Sequence, residues 1–184
     1  MEKYNTKGDR TMFIQGVGAL LIVSATTFAG YAFFAKDKYR LKELGEIERG
    51  ILLMKNQISY LGTPLAQLLD EISWKIEGVA GLAFQEIASR MEERQGNSAE
   101  EIWESTWVEL GKKSYLTAVD LNELMAFGRT LGFLEKEQQE GSMDMLLHYL
   151  REVEERINKR LDKNGRLYFS MGVLGGLLMV ITLL

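Results

Sequence analysis

Leu167-Tyr-Phe-Ser-Met-Gly-Val-Leu-Gly-Gly-Leu-Leu-Met-Val-Ile-Thr-Leu-Leu184 is a run of 18 residues without a charge. Lys159, Arg160, Lys163 and Arg166 stand just before it. A second uncharged run, Met12–Ala35, is 24 residues long and is followed by Lys36, Lys38, Arg40 and Lys42. The hydrocarbon core of a bilayer is about 30 Å thick, and a helix rises about 1.5 Å per residue. The longer run would therefore span about 36 Å and the shorter about 27 Å, with Arg166 and Tyr168 anchoring the shorter at the interface. The expected organisation is an N-terminal tail over 1–11, a transmembrane helix over 12–35, a helical cytoplasmic domain over 36–166 and a second transmembrane helix over 167–184.

Two other readings of the first run are less consistent with the residues. A signal-peptide core is usually shorter, about 7 to 15 residues, and no Ala-x-Ala cleavage site follows this one. A buried core helix does not explain why both runs border on clustered Lys and Arg. Lys3, Lys7 and Arg10 precede the first run; six basic residues follow it closely, and six more lead into the second. This bias puts the middle of the chain in the cytoplasm and both termini outside. Glycines in the two runs, Gly16, Gly18, Gly30, Gly172 and Gly176, are candidates for close helix packing in the membrane.

Of the 184 residues none is cysteine and one is proline, and the net charge is −4. Disulfides, thiolate metal sites and a cysteine nucleophile are excluded. The segment 36–166 carries 19 basic and 24 acidic residues, with no broad basic face for nucleic acid. Val/Ile/Thr-rich alternation is scarce, so the fold class is all-α.

Between the apolar runs the spacing predicts about six helices. Leu41, Leu44, Ile47 or Ile51, Met54, Ile58 and Leu61 form one helical face. Gly62-Thr63-Pro64 ends that helix, Thr63 capping the next with Pro64 at its first position. The second helix, Pro64 to about Lys75, turns Leu65, Leu68, Leu69 and Ile72 inward. Glu77-Gly78 reads as a turn. A helix from about Val79 to Arg94 follows, with Leu82, Phe84, Ile87 and Met91 as core candidates. Ser98 with Glu101 is a capping box that opens a helix carrying Trp103 and Trp107, and Thr117 with Asp120 is a second such start. Leu121, Leu124, Met125, Phe127 and Leu131 line the helix that follows. Met143, Leu146, Leu150, Val153, Ile157 and Leu161 line the last, which Gly141 and Asn164-Gly165 would bend. The simplest arrangement pairs the first and last long helices antiparallel as a stalk, with the four shorter helices as a head.

No residue set reads as catalytic, and no cofactor or metal is expected. His148 is the single histidine, so an HExxH site is excluded; it shares a helical face with Asp144. Gly111-Lys112-Lys113-Ser114 has the end of a Walker A loop without its first glycine or its strand. Trp103 and Trp107 read as packing residues. The apolar runs hold no ionisable residue, which argues against an ion-coupled transporter.

Four stretches together resemble one family. They are Gly18-Ala-Leu-Leu-Ile-Val-Ser-Ala-Thr-Thr-Phe-Ala-Gly30, Ile58-Ser-Tyr60 with Thr63-Pro64-Leu65, Leu124-Met-Ala-Phe127-Gly128-Arg-Thr-Leu131-Gly132, and Gly165-Arg-Leu-Tyr168-Phe-Ser-Met-Gly172-Val-Leu-Gly-Gly176. In order and spacing the chain resembles the stage III sporulation protein AB family of endospore-forming bacteria. It departs from that pattern at Lys55-Asn56-Gln57, where acidic residues are expected, and at Leu134-Glu135, where a Ser-Asp helix start is expected. The resemblance implies a small membrane component of the channel-like apparatus between mother cell and forespore. Its soluble part would be similar to the helical domain of type II secretion and type IV pilus platform proteins, and would couple a cytoplasmic ATPase to the assembly, with self-association as a further expectation. Tyr60, Thr63 and Pro64, or Gly128 and Gly132, are the candidate partner-binding positions; helix-end and packing roles compete for the same residues. A membrane signalling or scaffold protein is the alternative, though only eleven residues precede the first apolar run.

Overall fold

In the computed structural model the described backbone comprises residue 18 and residues 35–57, 63–93, 96–131 and 136–183; the side chains of 136, 137 and 164–183 are outside the description. The elements are α1 (35–57), α2 (Leu65–Ser73), α3 (Gly78–Glu92), α4 (Ala99–Gly111), α5 (Ala118–Gly128) and α6 (Lys136–Leu183). All are helices, as the composition implies. The chain divides into two units, Met1–Lys36 with Lys159–Leu184, and Asp37–Asn158.

Within Asp37–Asn158, α1 and α6 run antiparallel. Lys55 bridges Asp144 at 2.5 Å and Glu48 bridges Arg151 at 2.5 Å, so seven residues back along α1 match seven forward along α6. Three more steps bring Gly45 beside Glu154, where a Cβ on Gly45 would stand 3.8 Å from the Glu154 carboxylate. The seven-residue step keeps one seam of each helix facing the other. Beneath these edges lie the buried Leu44, Ile47, Ile51 and Met54 of α1 and Met143, Leu146, Leu147, Leu150, Val153 and Ile157 of α6.

The pair is not a free stalk. Gly50 of α1 lies so close to α3 that a Cβ there would collide with the Phe84 ring. Glu43 accepts from the Tyr115 backbone N–H at 2.7 Å and Glu46 from that of Glu77 at 2.9 Å. The long helices and the four short ones share one unit because small and polar residues of α1 dock directly on the head.

The short helices pack in sequence order. α2 starts at Pro64, which is its N-cap; no side chain caps it, so Thr63 does not have the expected capping bond. Proline fits there because its missing N–H is one that a helix start leaves unbonded in any case. Gly78, at φ +66°, makes the α2–α3 turn that Glu77-Gly78 predicted. α4 and α5 each begin with the capping box read from the sequence, Ser98/Glu101 and Thr117/Asp120. Phe84, Trp103, Trp107 and Phe127 join α3, α4 and α5, with ring centroids 5.3 to 6.4 Å apart. Each such aromatic pair adds about 0.5–1.5 kcal/mol beyond the area it buries.

Three expectations are corrected. Leu82 is 58% exposed instead of buried. α3 buries Ala80, Ala83, Phe84, Ile87 and Ala88, and Leu82 lies two positions from both Ala80 and Phe84, on the opposite side. α6 is helical through Gly141 and through Asn164-Gly165 without a break.

The third correction concerns the two flanking transmembrane helices. Among the described residues, no helix is long and apolar enough to cross a membrane. Over their described side chains, α1 and α6 are two-faced, with a row of buried apolar residues on one side and mostly charged or polar residues on the other. The apolar tail of the chain is the end of α6, whose preceding part alternates buried residues with exposed Arg151, Glu152, Glu155 and Arg156. Of the run 12–35, all but Gly18 and Ala35 lies outside the described residues.

Candidate functional site

Of the expected partner-binding positions, Thr63, Pro64 and Gly128 are described, on two different elements. Thr63 is half-buried and Pro64 exposed at the start of α2, while Gly128 is buried at the end of α5. A Cβ on Gly128 would collide with the Trp103 indole, so this glycine lets α5 approach α4. Tyr60 and Gly132 lie outside the described residues, as do Gly16 and Gly30. A Cβ on Gly18 would have no neighbour within 4 Å among the described residues. Gly172 and Gly176 fall on the backbone of α6, and their surroundings are outside the description. His148 is exposed, and its expected neighbour Asp144 is engaged by Lys55.

Among the described residues, the most connected polar group is one whose local sequence pattern spells only a helix cap. Asp120 is 1% exposed and accepts from five donors. Its Oδ2 takes the Arg40 Nε–H at 2.8 Å, the Thr117 N–H at 2.7 Å and the Thr117 hydroxyl at 2.7 Å. Its Oδ1 takes Arg40 Nη2 at 2.8 Å and the Tyr149 hydroxyl at 2.8 Å. Burial alone would raise this carboxyl, but the Arg40 fork and the Thr117 and Tyr149 donors outweigh it and hold the pKa below its ordinary value. Tyr149 is pushed up, first by burial and then by donating to Asp120. One carboxylate thus ties α1, α5 and α6 together. Arg40 stands among other charged residues, Lys36, Asp37, Lys38, Lys42 and Glu43, so nothing local singled it out or pointed 80 residues ahead.

On the far side of α3 the surface is open. A cleft of about 540 Å³ runs between α2, α3 and α4, bordered by Asp70, Leu82, Glu86, Arg90, Glu92 and Glu109. Arg90 is spanned between Glu86 at 2.7 Å and Glu109 at 3.3 Å, which pins α3 to α4 along the cleft floor. Trp74, 77% exposed, stands one helical turn beyond Asp70 on the same side of α2.

The profile of the family described as stage III sporulation protein AB matches residues 15–184. The chain belongs to the stage III sporulation protein AB family. Stage III sporulation protein AB of Bacillus subtilis (strain 168) is 24% identical over 168 residues, covering 91% of this chain and 98% of the relative. A solved structure of stage III sporulation protein AB (SpoIIIAB) superposes with a TM-score of 0.63 at 18% identity, covering 67% of this chain and 97% of that one. That likeness establishes the shared helical fold. The sequence resemblance to the stage III sporulation protein AB family is thereby borne out, and the protein is one of the sporulation stage. In family terms, the Phe127-Gly128 motif is a close-packing joint on Trp103, and the Thr63-Pro64 motif is a helix start.

Proposed function

We propose that this protein is a non-enzymatic adaptor of the sporulation apparatus linking mother cell and forespore. It acts at the cell membrane on the mother-cell side with its helical unit in the cytoplasm. There it joins a secretion-type ATPase to the rest of the assembly. The single observation that carries this reading is how the unit uses polar side chains to tie its helices together. Asp120, Arg40 and Tyr149 meet to fasten three helices, and Arg90 is spent between two more; such tethers make a stiff body suited to passing force or position between partners. The basic borders of the two apolar runs support attachment at an anionic membrane surface. The likeness to secretion and pilus platform proteins that the family resemblance implies is the ground for the ATPase as the partner, by fold-level analogy.

Deleting the gene should arrest spore development after engulfment, and the purified full chain should retain the apparatus ATPase in a pull-down. Normal spore formation, or failure to retain the ATPase, overturns the reading.

A further inference from the structure

We infer that the cleft between α2, α3 and α4, with Leu82 in its lining and the exposed Trp74 one helical turn beyond its Asp70, is a docking groove for a basic amphipathic segment of another protein. The apolar part of the argument is exposure. Trp74 and Leu82 are 77% and 58% exposed, on consecutive helices of a tight hairpin, in a unit whose other two tryptophans are fully buried. Leaving a tryptophan in water forfeits about 1.5–3 kcal/mol that a contact would recover, and tryptophan is among the residues that most often anchor interfaces.

The charge around the groove selects the occupant. Four carboxylates border it, Asp70, Glu86, Glu92 and Glu109, against one guanidinium, Arg90, already shared between two of them. A second copy of this chain would bring the same acidic border and meet like charge in a two-fold pairing. An anionic leaflet would be repelled for the same reason. A helix with Leu or Phe on one side and Lys or Arg beside it satisfies both terms: its apolar residues cover Trp74 and Leu82, and its cations face the carboxylates. The partner need not be the ATPase, so this inference stands apart from the functional reading above.

The test places a photo-crosslinking amino acid at Leu82 of the full chain in sporulating cells, and identifies the crosslinked peptide by mass spectrometry. The expected product joins Leu82 to a Lys/Arg-bearing apolar segment of a different protein. Its yield should fall about tenfold in Trp74→Ala, the truncation of an anchor residue, and comparably in Asp70→Lys. Both sites are exposed, and Asp70→Lys decides the matter if Trp74→Ala fails to accumulate. Crosslinking only to a second copy or to lipid, a partner segment without basic residues, yields unchanged by the substitutions, or no crosslink at all overturns the inference.

Discussion

Asp120 grips Arg40 with both carboxylate oxygens, each 2.8 Å from a guanidinium nitrogen, across 80 residues of sequence. Arg40 is 16% exposed and Asp120 1%. A fork of this kind fixes orientation as well as distance, so it sets how α5 lies against α1. Removing one partner strands the other charge in a dry place. Asp120→Asn or Arg40→Met should therefore cost about 3–5 kcal/mol, and the double substitution less than the sum. Urea unfolding of the full chain and a double-mutant cycle measure this; a single-substitution cost below about 1 kcal/mol would show the pair to be solvated.

The same carboxylate gives an acid limit. Asp120 has a depressed pKa in the fold, so its contribution is complete above the ordinary value of 3.8 and drains away as pH falls through the lowered one. Asp120→Asn should flatten the acid side of the stability profile below about pH 4. A wild-type profile that is already flat there would contradict the assignment.

Local signals in the chain were read well and distant ones were not. Ser98/Glu101 and Thr117/Asp120 are four-residue patterns, and both form the boxes they spell. In the second, the cap saturated the reading: Asp120 already had a role, and its partners Arg40 and Tyr149 lie on other helices. Leu82 failed because α3 packs through alanines, which blur the boundary between its faces. The two flanking spans rested on hydropathy alone, and among the described residues no helix is long and apolar enough to cross a membrane. The open face at Trp74 had no signal in the periodicity, since Trp74 is the residue that ends α2.

Trp103 and Trp107 are both fully buried, yet their indole N–H groups differ. Trp103 Nε1–H donates to the Leu124 carbonyl at 2.8 Å, while Trp107 Nε1 has no partner among the described residues. A buried unpaired donor costs about 1–3 kcal/mol. Trp107→Phe should accordingly be milder than Trp103→Phe, the freed polar cost offsetting part of the lost volume. Thermal melts that show Trp107→Phe to be the more damaging would refute this ranking.

Gly128 and Gly141 separate packing from propensity. At Gly141 nothing among the described residues stands near an added Cβ, so Gly141→Ala should stabilise α6 by about 0.5–1 kcal/mol. At Gly128 the Trp103 ring occupies that space, and Gly128→Ala should destabilise by about 1–3 kcal/mol. If Gly128→Ala instead leaves the melt unchanged and weakens a partner, the family motif there acts in binding.

Glu154 sets the opposite pH slope from Asp120. Burial, followed by the nearby Glu48 carboxylate, pushes its pKa up to about 6, against relief from Arg151. Its Oε1 is buried without a hydrogen-bond partner among the described residues. A folded-state pKa above the ordinary 4.5 means that stability is greatest below that value and is lost as pH rises through about 6. The gain on lowering pH from 7 to 5 should be under about 1 kcal/mol, because solvent screens a half-buried group. Glu154→Gln should remove that slope and raise stability at pH 7 by a similar amount, since the charge facing Glu48 is gone while Arg151 keeps its bridge. Denaturation midpoints at pH 5 and pH 7 for both proteins decide it: a slope that survives in Glu154→Gln would assign the titration to another group on the α1–α6 seam.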